Sequence, residues 1–411
     1  MHTIYSLIYR ISLLFFLPYE YFKRPTILRS RWIREKFGFI RDKRHIWIHS
    51  VSVGEVNAIV PLVRHIQRLF PDYRILLTTV TDTGQEVAKR QFGTSVDIAY
   101  IPFDLPSTLD KMLKGTMPEL ILITETEIWP NLIRIARKNS IPIAIINGRL
   151  SEKSFKRYKK ISFLMRSVLN DIDLFLMQNE VYAKRIIDLG ADPSRVRIMG
   201  NLKFDIEISK KDLIWAERFN KRVIVAGSTH EPEEEIILKG FLDAKRVFAD
   251  TILIIAPRHP QRFKSVEELL SRANIHYIKR SQVNDNTDLN TFDVILLDAM
   301  GELYTLYKYC DIAILGGSFI PHGGQNPLEP AYWGKAIVCG RYMHNFYFID
   351  DFLRVGAAIQ TDVSELSHTL INLLSDTSRL QTMGKRAKDL METNRGAVNR
   401  LLDEIKGFLY H

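Results

Sequence analysis

At 411 residues the chain is too long for one ordinary domain and predicts two, of roughly 150–200 residues each. Its 46% apolar and 25% charged content excludes a disordered chain, which lacks the apolar surface needed to offset ordering entropy. With 57 Lys and Arg against 47 Asp and Glu, the net charge of +10 suits nucleic acid, anionic lipid or phosphorylated substrates; no zinc-knuckle spacing, helix-turn-helix cue or RNP-like aromatic motif favours nucleic acid, which drops out as a partner.

Residues 4–22 (IYSLIYRISLLFFLPYEYF) are aromatic and aliphatic, but Arg10, Pro18 and Glu20 interrupt the run, and a bilayer span needs about 20 apolar residues. Without a small-residue cleavage site it is not a signal peptide. Lys23, Arg24, Arg29, Arg31, Arg34, Lys36, Arg41, Lys43 and Arg44 follow, each attracted to an anionic leaflet by about 1 kcal/mol when close. Residues 1–25 are therefore expected to anchor the chain to a membrane, spanning it or lying in the interface, with the remainder on the cytoplasmic side. The alternative is a first helix packed on the protein itself.

Residues 45–51 (HIWIHSV) read as a strand, Ser52-Val53-Gly54-Glu55 as a turn, and VNAIVPLVRHIQRLF as a helix. The alternation repeats through YRILLTTV, LILITETEIWP, IPIAIIN, 174–178 and 196–200, and predicts a parallel sheet with crossover helices. After NLKFDIEISKKD it restarts with RVIVAGS, TILIIAP, IHYIKR, DVILLDA and IAILGGS, followed by terminal helices over 366–374, 380–391 and 397–408. The expected domains are 26–208 and 209–411. The fold class is α/β: two doubly wound, Rossmann-like domains facing a cleft, as in GT-B glycosyltransferases, with ligands at strand C-terminal ends. Cys310 and Cys339 lie at buried strands and read as reduced core thiols, the usage of a cytoplasmic body.

Several turns carry chemistry. Glu55, on a strand-to-helix turn, is the candidate general base; its bland alternative is a favourable charge at a helix N-terminus. Glu125 and Glu127, at the end of LILIT, are further carboxylates expected near the same site. In the second half, Arg258 follows Pro257 at a strand end and suits a phosphate or carboxylate. Met300-Gly301-Glu302 opens a helix whose amides can meet a base or ribose. The run HGGQNPLEP places Gly323 and Gly324 ahead of Asn326, Pro327, Leu328 and Glu329, with Asn326 expected as N-cap and Pro327 as first helical residue. Histidines 230, 259, 322 and 344 are separated in sequence and no DxD-like motif stands out, so neither metal nor cofactor is expected.

Together SVGE, TETEIWPNL, NGRLS, GNLKFD, AGSTH, APRHPQRF, MGEL, GGSF and GGQNPLEPA stand in an order that resembles the Kdo transferases, the lipid IVA Kdo transferase family, over residues 1 to about 400. The resemblance implies inverting transfer of 3-deoxy-D-manno-octulosonic acid (Kdo) from CMP-Kdo to a phosphorylated lipid A precursor, in lipopolysaccharide synthesis at the bacterial inner membrane. It implies Glu55 as proton acceptor and Pro257, Arg258, Met300, Gly301, Glu302, Asn326, Pro327, Leu328 and Glu329 as CMP-binding positions; the first domain would take the acceptor and the second the CMP-sugar. Gln325 stands where the family commonly has histidine. Rival readings are a UDP-sugar transferase or epimerase on the same scaffold, distinguished by binding UDP, and a membrane-bound nucleotide sensor, distinguished by forming no product.

Overall fold

The computed structural model describes residues 2–39, 45–205, 212–346 and 348–409. They form two compact units, one of Met1–Ile206 with Asn394–His411 and one of Glu207–Thr393. The expected boundary at 208/209 lies outside the described residues, as do Arg41, Lys43 and Arg44 of the basic run.

In the first unit the strands are β1 (His45–His49), β2 (Arg74–Thr79), β3 (Asp97–Tyr100), β4 (Pro118–Thr124), β5 (Ile143–Gly148), β6 (Leu174–Met177) and β7 (Val196–Ile198). They lie in the order β3-β2-β1-β4-β5-β6-β7, every pair parallel. Helices cover both faces, so the central strands are continuously apolar rather than alternating. All five residues of β1 are buried; Ile46 and Ile48 enter one core and Trp47 the other, as the two-residue side-chain period requires.

The second unit repeats the plan with β8 (Arg222–Thr229), β9 (Thr251–Pro257), β10 (Tyr277–Lys279), β11 (Val294–Leu296), β12 (Ile312–Leu315), β13 (Ala336–Cys339) and β14 (Ala358–Gln360). The order is β10-β11-β9-β8-β12-β13-β14, again all parallel. Cys310 and Cys339 are buried free thiols, pushed up to about 12 by burial. The α/β class with two parallel sheets is thus the observed one.

Two expectations are corrected. The last helix, Ala397–Leu409, does not belong with the second domain. Its Ala397, Val398, Leu401, Leu402, Ile405 and Leu409 join the core formed by β1, β2 and the helix Val53–Leu69, and Asp205 accepts hydrogen bonds from the Gly396 and Val398 amides at its start. Residues 1–25, in turn, are not a separate piece. The helix His2–Lys23 lays Tyr9, Leu13, Leu17 and Tyr21 against Trp32, Tyr100 and Phe103, while Tyr5 donates to Asp104 (2.9 Å) and Ser6 to Asn131 (3.1 Å). Among the described residues no helix is long and apolar enough to cross a membrane.

The basic run is also partly structural. Arg24 is buried, ion-paired with Glu20 (2.8 Å) and Asp82 (3.2 Å) and stacked over Trp32. Arg31 pairs with Glu35 and donates to the Ile98 carbonyl, and Arg29 donates to the carbonyls of Phe22 and Arg24. Arg31 thus ties the second helix to β3, Arg24 joins the end of the first helix to the helix Asp82–Phe92, and Arg29 fixes the turn between the first two helices.

Candidate active site

In the first unit the strand order reverses between β1 and β4, the switch point at which doubly wound sheets open a crevice at their strand C-terminal ends. Glu55 stands there, in the first turn of the helix Val53–Leu69. Ser52 occupies the N-cap position without a side-chain cap bond; instead the Glu55 carboxylate reaches back, accepting from the Val51 amide at 2.7 Å and the Ser52 hydroxyl at 3.2 Å. The Thr124 hydroxyl, at the end of β4, lies 2.9 Å from the same carboxylate. Three donors from the ends of β1 and β4 and the turn between strand and helix thus hold this carboxylate at the switch point.

Glu125 follows in the left-handed region, φ 56°, its amide bonded to the Ile146 carbonyl. A non-glycine residue held there is strained, and such strain concentrates at functional sites. The Glu125 carboxylate lies 3.9 Å from the Lys203 ammonium. The Lys203 amide donates to Asn201 Oδ1 at 3.0 Å, and the preceding Leu202 amide donates to the side chain of Asn147, itself at φ 52°. Burial pushes Glu55 above its ordinary range, and the charge of Glu125 adds to this, against the lowering effect of its three donors. Burial, then Glu55 and Glu125, push Glu127 up to about 7. Burial holds Lys203 low, against the pull of Glu125 and Glu55. The fold thus brings Glu55, Glu125 and Glu127 together, with a lysine the sequence reading did not single out. A carboxylate whose proton affinity is raised toward neutrality is suited to general-base work.

In the second unit the strand ends β11, β9, β8 and β12 are neighbours. Arg258 is exposed just beyond β9, its amide donating to the Thr229 carbonyl on β8. After β12 the chain turns through Gly316 and Gly317; a Cβ on Gly316 would come within 2.3 Å of the Ser228 carbonyl, so only glycine permits this approach. Asn326 accepts from the Leu328 amide at 3.1 Å, but the helix begins one residue later than expected: Pro327 is the N-cap and Leu328–Tyr332 follows it. Burial pushes Glu329 up to about 7 while neighbouring Arg258 pulls it down, which sets Arg258 and Glu329 in one electrostatic neighbourhood.

Met300 is exposed and Gly301, at φ +80°, has open space around it. Glu302 differs: its carboxylate is buried and accepts from Trp215 (3.2 Å) and Arg280 (2.9 Å). Its side chain braces the unit, leaving the amides of this turn as the part available to a ligand. The sequence reading also treated the histidines as separate, yet His230, His259 and His322 meet at the ends of β8, β9 and β12. Among the described residues no group of His, Cys, Asp and Glu is arranged to hold a metal ion.

Comparison with known proteins agrees in both sequence and fold. Residues 31–206 match the family model for 3-deoxy-D-manno-octulosonic-acid transferase (kdotransferase). A 3-deoxy-D-manno-octulosonic acid transferase of Haemophilus influenzae is 36% identical over 393 residues, 92% of this chain and 91% of that protein. One from Bordetella pertussis is 32% identical, over 89% and 87%. Among solved structures, the UDP-GlcNAc 2-epimerase of Neisseria meningitidis bound to UDP-GlcNAc aligns over 89% of this chain and 99% of its own with a TM-score of 0.55, but at 14% identity, a likeness of fold alone. Carried by the full-length relatives, the conclusion is that the chain belongs to the 3-deoxy-D-manno-octulosonic acid transferase family and is a glycosyltransferase.

Proposed function

We propose that this enzyme transfers Kdo from CMP-Kdo to the phosphorylated lipid A precursor, lipid IVA, in lipopolysaccharide synthesis, with inversion and with Glu55 as general base. The observation that carries this reading is the placement of Glu55 at the β1/β4 switch point, held by Val51, Ser52 and Thr124, with its proton affinity raised by burial and by Glu125. Glu55 removes the proton of the acceptor hydroxyl as that oxygen attacks the anomeric carbon, and CMP leaves from the opposite face. The transition state is oxocarbenium-like, so a carboxylate near the reacting carbon both takes the proton and offsets positive charge. Glu125 and Lys203 set the field around Glu55. Arg258 and the amides of the Met300–Gly301 and Asn326 turns receive the cytidine monophosphate, whose single departing phosphate an arginine and backbone donors can stabilise.

The outer face of the first helix exposes Ile4, Leu7, Ile8, Ile11, Leu14, Phe15 and Phe16, which would rest in the interface of the inner membrane from its cytoplasmic side and keep the site near the leaflet holding the acceptor. The test is incubation with CMP-Kdo and a tetraacylated lipid A precursor, following the lipid by mass spectrometry. Mass steps of one Kdo with wild type, lost in Glu55→Gln, support substrate and base together. No addition by folded wild type sinks the substrate assignment, and an active Glu55→Gln removes the base.

A further inference from the structure

Three loops at the strand ends of the second unit deliver imidazoles to one place. His230 follows β8, His259 follows β9 two residues beyond Pro257, and His322 lies in the loop after β12. The His230 and His322 ring centroids are 3.9 Å apart and those of His230 and His259 5.6 Å. Gln325 brings its amide nitrogen to 3.2 Å from His230 Nε2. With that amide donating, Nε2 is the acceptor and the ring proton sits on Nδ1. His259 and His322 are exposed and His230 half-buried, so the cluster is open to a ligand.

The cluster is built on a buried support. The carboxylate of Glu233, fully buried, accepts from the His230 amide at 2.9 Å and from the Gly317 amide, tying the end of β8 to the glycine turn after β12. Glu231 and Glu234 are both ion-paired with Arg262. The cations acting on His230 are therefore Arg258 and Arg262, while Glu231 and Glu234 are paired with Arg262 and Glu233 is buried. Burial, followed by His322, His259, Arg258 and Arg262, holds His230 down to about 4. At neutral pH it is an uncharged hydrogen-bond donor.

We infer that His230, His259, His322 and Gln325 form a subsite for the carboxylate of the donor's acidic sugar, distinct from the phosphate contact at Arg258. The inference rests on the CMP-Kdo reading above. In an activated 2-ulosonic acid the carboxylate and the phosphate oxygen are substituents of the same anomeric carbon, so whatever receives the phosphate has the carboxylate beside it. Arg258 lies close enough to His230 for its charge to act on the ring. A neutral His230 suits the carboxylate for a further reason: its imidazole orients it without cancelling its charge, and that charge faces the carbon on which positive charge develops. A cationic clamp there would oppose the transition state; Arg258, which serves the departing phosphate, does not.

The test uses the full chain and two ligands that differ by the sugar acid. KM for CMP-Kdo and Ki for CMP as a competitive inhibitor are measured for wild type, His322→Ala, His230→Asn and Arg258→Ala. Loss of a hydrogen bond to a charged group predicts a KM for CMP-Kdo raised about tenfold in each histidine variant, with Ki for CMP within about twofold of wild type. Arg258→Ala raises both constants. A Ki for CMP that rises in parallel with KM in His322→Ala, an exposed site where folding is not at stake, overturns the subsite and reassigns the cluster to the nucleotide. Unchanged constants in both histidine variants overturn it outright. Failure of the underlying donor assignment looks different: wild type then neither turns over CMP-Kdo nor is inhibited by CMP, and the subsite falls with it.

Discussion

The Thr124 hydroxyl stands 2.9 Å from the Glu55 carboxylate, a contact that joins the end of β4 to the helix following β1, beside the point where the first sheet reverses its order. The same oxygen is 2.8 Å from the His49 carbonyl and 3.2 Å from the Ser50 hydroxyl, so one proton has three possible acceptors. Donation to Glu55 stabilises the ionised carboxylate, acting against burial and Glu125, which raise its pKa. Thr124→Val keeps the shape and removes the donor. The acidic limb of the kcat/KM profile should then move to higher pH. An unmoved limb would mean that the proton goes to His49 instead.

Glu127 supplies a stability test of the same carboxylate group. Its folded-state pKa is pushed up to about 7 by burial, Glu55 and Glu125, above the ordinary 4.5 of the unfolded chain. The folded state therefore binds this proton more tightly, so its contribution is fully present below about pH 4.5 and lost as pH rises through 7. Glu127→Gln, which mimics the protonated form, should stabilise the protein at pH 8 by about 1–2 kcal/mol, allowing for partial exposure, and by little at pH 5. Denaturant unfolding at both pH values measures the difference; equal effects would show that Glu127 is not proton-linked.

Legibility in the sequence followed apolar runs flanked by recognisable turns. The apolar runs of β1, β4, β8 and β9 are long and buried on both faces, and they were readable, whereas β3, β13 and β14 are strands of three or four residues whose identity comes from pairing with neighbours rather than from pattern. Glu55 and Arg258 were findable because each follows an apolar run at a turn. The histidine cluster was not, since His230, His259 and His322 are local to three different loops and only the strand order makes them neighbours. The common signal was their position just past a strand end. At Glu302 the turn was legible but the task of its carboxylate was not, because its partners Trp215, from a segment without periodicity, and Arg280 come from elsewhere in the unit.

The return of the last helix to the first unit gives a prediction that separates the units. Leu401 is fully buried among residues of the first core. Leu401→Ala should cost about 2–5 kcal/mol. Scanning calorimetry should show a lowered transition for the first unit, with CMP binding by the second retained after that purified variant is refolded below its transition. Loss of CMP binding under native conditions would place the helix in the second unit after all.

Interfacial binding by the first helix is tested most cleanly away from its cations. Arg24 is a poor probe, since its buried pairing with Glu20 and Asp82 means that Arg24→Glu should cost about 3–5 kcal/mol and report on folding rather than on lipid. Leu14 and Phe15 are 74% and 75% exposed on the face turned away from Trp32 and Phe103. Burying such side chains among acyl chains is worth about 1.5–3 kcal/mol each, so the double substitution Leu14→Glu and Phe15→Glu should weaken binding to anionic vesicles at least tenfold while leaving thermal stability unchanged. Lys23, exposed at the helix end, should contribute less and in a salt-dependent way, because its attraction to the leaflet is screened within a Debye length. Vesicle co-sedimentation at low and high salt distinguishes the two contributions. Binding that survives the double substitution but is abolished by salt would assign the attachment to charge alone, and the exposed apolar face would then have no part in it.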